Sequence, residues 1–275
     1  MIILRNNIQL KQKEYNIIDD TYRSGIKRAY KKTIGNFRRN TAKRLTDSIK
    51  SDINQVKESS RKLSNSSSIQ NKSVENNLIK EASKEGIIVS NVKVDNTKGN
   101  YLVKDVNDQD LIEYSKNFGN KKEDVEKLKN QIKKSHKFIS HPENSGSEKL
   151  AHEIGHVKNE KGIISKQISK IANSEKTRSQ IRSSFNKVRD TGDDGSLGVK
   201  ESAKRFVRAK AVELEENNAN RKGLKLLKKS GASKEELNKA RDNYKEGSKS
   251  YKHSGNVSWK TSLRNTVQIP SRRKK

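Results

Sequence analysis

The chain has 275 residues, 29% of them hydrophobic and 35% charged, with a net charge of +29. Such a polar composition excludes one compact core over the whole length. The absence of cysteine excludes disulfides and thiolate metal ligands, and no run of eighteen apolar residues is present to cross a bilayer.

Residues 1–75 read as a basic amino-terminal segment, helical or partly disordered. Ile17, Ile18, Tyr22, Ile26 and Tyr30 recur at helical spacing and predict one amphipathic helix, and the serines of 64–68 mark a linker. Met1 to Leu4 is too short an apolar start for a secretory leader, so a cytoplasmic protein is expected. Cations gather toward both ends, as in Lys27, Arg28, Lys31 and Lys32, Arg38 and Arg39, and Arg272 to Lys275. Their field attracts nucleic acid or another polyanion. No zinc-finger spacing or RNA-binding aromatic motif accompanies them, so any such binding would be weakly sequence-specific.

A compact unit is expected over 76–253. A short helix near Asn77–Ser83 precedes a strand from Gly86 to Val94, and Tyr101 to Val106 is expected to pair with that strand as a hairpin turning at 96–100. Helical segments follow at 109–118 and 121–135. Lys137 to Ser140 forms a brief strand, and His136 and His141 beside it read as bystanders. Residues 254–275 read as a basic, disordered tail.

The strongest motif is His152-Glu153-Ile154-Gly155-His156. On a helix, residues four apart share a face, so His152 and His156 can grip one metal ion, with Glu153 beside them to take a proton from water. Leu150, Ile154 and Val157 form an apolar stripe on the other side. Gly155 suits a place where something approaches the backbone closely.

Residues 158–195 look like an insertion. It contains a helix marked by Ile163, Ile164, Ile168 and Ile171, then a turn-rich loop from Thr191 to Gly198 in which Asp193 and Asp194 are turn residues. A third metal ligand is expected beyond it. Val212, Glu216, Ala219, Asn220, Gly223, Leu226 and Leu227 share one helical face, and Glu216 sits in the middle of that small, apolar surface. A carboxylate there must be paired, protonated or metal-bound. Asn220, one turn on, is placed to hold a histidine ring nitrogen. Glu213 and Glu215 fall off the stripe and are expected to be solvated.

His152-Glu-x-x-His156 followed by Glu216-x-x-Ala219-Asn220 resembles the gluzincin pattern of zinc metallopeptidases. The stretch after Glu216, from Asn220 to Gly231 with a second helix from Glu235 to about Tyr251, is similar to the YugP-like neutral zinc metallopeptidases. The Glu-x-x-Ala-Asn helix also resembles the ImmA/IrrE-like peptidases. The likeness covers about residues 136–253. It departs in one respect, since YugP-like proteins look membrane-anchored.

The resemblance implies an α+β, mostly helical fold with a zincin-like core: a small sheet, a His-Glu-x-x-His helix and a glutamate-bearing helix. It implies Zn²⁺ on His152, His156 and Glu216, Glu153 as general base, and an edge strand that holds substrate backbone, for which Lys137–Ser140 is the best-placed segment. Tyr244, Tyr251 and His253 are the candidates for stabilising an oxyanion. The function expected is hydrolysis of peptide bonds in a peptide or protein substrate. The alternative is a basic nucleic-acid-binding or assembly protein of phage or mobile-element type, with a degenerate or structural zinc core.

Overall fold

The computed structural model describes residues 2–92, 101–104, 121–132, 137–142, 144–159, 163–172, 174–195 and 198–268. In chain order the elements are α1 (Ile2–Asn65), α2 (Lys72–Lys84), β1 (Ile87–Ser90), β2 (Tyr101–Lys104), α3 (Lys122–Ile132) and β3 (Lys137–Ser140), followed by α4 (Ser147–Asn159), α5 (Ile163–Ala172), α6 (Glu175–Thr191), α7 (Val199–Lys229) and α8 (Lys234–Gln268). The fold is α+β and mostly helical. The expected segment 109–118, the turn at 96–100, His136 and the end of the tail lie outside the described residues.

The sheet has three strands in the order β1-β3-β2. β1 runs parallel to β3, with Ile88 opposite Phe138, and β2 runs antiparallel to it, with Leu102 opposite Ile139. Two expectations are corrected here. Tyr101–Lys104 does not form a hairpin with β1, because β3 lies between them. Lys137–Ser140 is the central strand, so its backbone is engaged on both sides and cannot accept a substrate strand. Phe138 and Ile139 are buried, which explains why this short segment takes the middle of the sheet.

The main core joins α2, the sheet, α4, α7 and α8. Leu78, Ile139, Leu150, Ile154 and Leu227 are fully enclosed in it. Asn71 caps α2 by accepting from the backbone N–H groups of Ser73 and Val74.

Helix α1 is one continuous element where polar helix and loop were expected, and its second half packs antiparallel along α8. Ala42, Ile49 and Val56, seven residues apart, are buried at this seam. Asp52 pins the pair, accepting from Lys260 Nζ at 2.6 Å and contacting His253 Nδ1 at 2.6 Å. The expected tail is accordingly helix as far as Gln268, with Gly255, Val257, Ser258 and Ser262 buried. The insertion is also packed, α5 against α7 and α6 against α8.

Candidate metal centre

Two helices cross to build the site. Helix α4 presents His152 and His156 one turn apart, with ring centroids separated by 4.6 Å. Its other side is held in the core by Leu150, Ile154 and Val157. Helix α7 brings Glu216, and a close backbone approach makes this possible. A Cβ on Gly155 would lie 2.4 Å from the carbonyl oxygen of Ala219, and one on Gly223 would lie 3.2 Å from the backbone of Ala151. The partner that Gly155 admits is therefore α7 itself.

The three donors converge. His152 Nε2 is 3.2 Å from Glu216 Oε2, His156 Nε2 is 3.7 Å from the same oxygen, and the two Nε2 atoms are 3.0 Å apart. A tetrahedral ion with ligand bonds of about 2.0–2.1 Å holds its donors roughly 3.3 Å apart. The trio His152, His156 and Glu216 can thus hold a metal ion.

Both histidines are fixed from behind. His152 Nδ1 is 2.7 Å from Asn220 Oδ1, and His156 Nδ1 is 3.0 Å from Glu215 Oε1. In each case Nδ1–H donates to an oxygen, which leaves Nε2 facing the trio. Asn220 is itself anchored, donating from Nδ2 to Ser248 Oγ at 2.8 Å.

Glu215 corrects the expectation of a solvated side chain, since it is fully buried. Helix α7 is covered by α4, α5 and α8, so the buried arc is wider than the stripe read from the sequence. Glu213 sits on the more open side and pairs with Lys210 at 2.6 Å.

A second group was not foreseen. Arg178, on α6 within the insertion, donates from Nη2 to Glu216 Oε1 at 2.9 Å. Its guanidinium also lies 5.9 Å from the ring centre of Tyr251. No sequence signal marks it, because it stands thirty-eight positions from its partner with no motif around it.

Among the three oxyanion candidates the structure separates one from two. The Tyr244 hydroxyl donates to the backbone carbonyl of Glu148, and His253 turns to Asp52 on α1. The Tyr244 ring packs 5.7 Å from that of His152, but its hydroxyl is already committed to the Glu148 carbonyl. Tyr251 lies beside Arg178 and Glu216. His141 packs away from the site, 2.8 Å from Ser145 Oγ.

The charges in this enclosed space shift one another. Burial alone would lower His156, but Glu216 and Glu215 outweigh it and push it up to about 10. Burial would raise Glu216, yet the two histidines hold it well below the usual carboxylate range. Glu153 is raised, chiefly by burial. The Glu216 carboxylate, and then burial, raise the Tyr251 phenol.

No family model matches this chain, and neither a curated protein nor a solved structure does.

Proposed function

We propose that the chain is a zinc-dependent peptidase whose ion is held by His152, His156 and Glu216. The observation that carries this reading is the convergence of two Nε2 atoms and one carboxylate oxygen, with each Nδ1 held by a side-chain oxygen behind it. Two imidazoles with one carboxylate suit zinc better than magnesium or calcium, which favour all-oxygen sites. A structural ion would take a fourth protein donor. Among the described residues the group contains three.

Zinc bound there would polarise a substrate carbonyl and lower the pKa of a water in its open position. Glu153 follows His152 directly and is half-buried beside the trio. It would accept the proton of the attacking water and pass it to the leaving amine. Arg178 keeps one oxygen of Glu216 occupied, so the other is left to face the histidines. The Tyr251 phenol, beside Arg178, would donate a hydrogen bond to a developing oxyanion. A peptide or protein substrate and a cytoplasmic setting go with this reading. No helix among the described residues is long and apolar enough to cross a membrane.

Metal content of the purified protein, measured beside a Glu216→Ala variant, tests the site. About one zinc per chain is expected, weakened by at least tenfold in the variant. Glu153→Gln should keep the metal and lose hydrolysis of a mixed peptide library. A wild type that takes up no zinc on reconstitution, or a Glu153→Gln protein that cleaves at full rate, would overturn the proposal.

A further inference from the structure

The portion of α1 that precedes its seam with α8 presents an exposed surface. Every described residue from Arg23 to Thr33 is exposed, on all sides of the helix. Ile26, Tyr30 and Phe37 are 55%, 66% and 68% exposed. At 100° per residue these three stay within about 40° of one another, so they form one stripe. Lys27, Lys31 and Arg38 each follow a member of the stripe by one position and therefore flank it, about 100° round the helix. Between Arg23 and Arg44 the sequence carries nine lysines and arginines and no acid.

An isolated helix of this kind is only marginally stable in water, and its apolar stripe adds to the instability. The occupant that covers it must satisfy both chemistries. A second copy would bring nine like charges against nine. Nucleic acid would engage the cations and leave Ile26 in water. An anionic bilayer surface takes both, with the stripe in the acyl boundary and the flanking cations at the phosphates.

We propose that residues 23–44 of α1 dock the protein in-plane on an anionic lipid surface, through the Ile26, Tyr30 and Phe37 stripe and its flanking cations. This docking is independent of the metal centre.

Flotation of the full chain with phosphatidylcholine vesicles, with and without about a third phosphatidylglycerol, tests it. Binding is expected on the anionic vesicles only. The Ile26→Ser/Tyr30→Ser/Phe37→Ser protein should bind them at least about tenfold less well, because apolar burial is lost. A Lys27→Gln/Lys31→Gln/Arg38→Gln protein should lose binding as well. Circular dichroism and zinc content unchanged from the wild type would establish that both variants remain folded. Three outcomes would overturn the proposal. One is vesicle binding that ignores the stripe variant, which is charge adsorption alone. A second is no vesicle binding together with tight duplex DNA binding. The third is a dimer in solution that the stripe variant dissolves.

Discussion

Arg178 Nη2 lies 2.9 Å from Glu216 Oε1, while Oε2 of the same carboxylate faces both histidines at 3.2 and 3.7 Å. One buried anion is thus shared between a fixed cation on α6 and the place where a metal would sit. The inserted helices are thereby coupled to the ligand set. Removing Arg178 leaves Glu216 with one neutralising partner fewer in a buried setting, a change that typically destabilises by about 3–5 kcal/mol. Because Arg178 is one-third exposed, a loss of about 2 kcal/mol is expected for Arg178→Met without metal. Zinc should restore part of it by taking over the neutralisation. Thermal melts with and without zinc would check this, and an equal loss in both conditions would contradict the coupling.

Neighbouring glutamates on α7 should behave oppositely. Glu215 is enclosed and holds His156 Nδ1, whereas Glu213 pairs with the half-buried Lys210. Substituting a group behind a metal-binding histidine commonly weakens metal affinity by about 10–100-fold. Glu215→Ala and Asn220→Ala are therefore expected to weaken zinc binding in that range, and Glu213→Ala to leave it unchanged. Competition titrations against a chromogenic chelator would give all three affinities. Equal effects at 213 and 215 would refute the assignment.

How much of this could be read in the chain follows from how local each signal is. His152, His156 and Glu216 were legible because helical period alone puts two imidazoles on one face and a carboxylate on an apolar one. Asn220 followed from the same period, one turn beyond Glu216. Glu215 and Arg178 were not legible. The first depends on how many helices cover α7, and the second on where an insertion folds back. The sheet order was hidden for a related reason, since a four-residue strand carries no mark of whether one neighbour or two will pair with it. The carboxy-terminal helix, expected as a basic tail, instead buries the small residues Gly255, Ser258 and Ser262. They are small because α7 and α8 touch there: a Cβ on Gly255 would lie 2.7 Å from the Ala209 side chain, and Ser262 bonds Ser202 at 2.9 Å.

The crossing at Gly155 makes a sharper demand. A methyl group there would meet the Ala219 carbonyl at 2.4 Å, and a backbone oxygen cannot swing aside as a side chain does. Gly155→Ala should destabilise by about 1–3 kcal/mol or more through overpacking, despite alanine's higher helix propensity. It should also push α4 from α7 and so weaken zinc binding. Gly247→Ala on α8, with nothing within 4 Å of its added Cβ, is expected to be neutral or slightly stabilising. Urea unfolding of the two variants would decide, and a stabilised Gly155→Ala protein would disprove the close approach.

Glu148, in the first turn of α4 and one turn before His152, gives a pH signature of its own. Its side chain is buried, accepts from the backbone N–H of Ile69 at 3.0 Å, and is raised above its ordinary value chiefly by burial. A carboxyl with a raised folded pKa stays protonated in the folded state after the unfolded chain has ionised. The folded state then binds more protons, so stability falls as pH rises from about 4.5 toward the raised value, and levels off once the buried group ionises. Glu148→Gln keeps an acceptor for Ile69 and removes the ionisation. The variant should match the wild type near pH 4 and exceed it near pH 7, with the difference opening only across that window. Other groups with shifted pKa values are common to both proteins and drop out of the comparison. Urea midpoints collected from pH 4 to 7 would show the divergence. Parallel curves would mean that Glu148 is not held neutral by its surroundings.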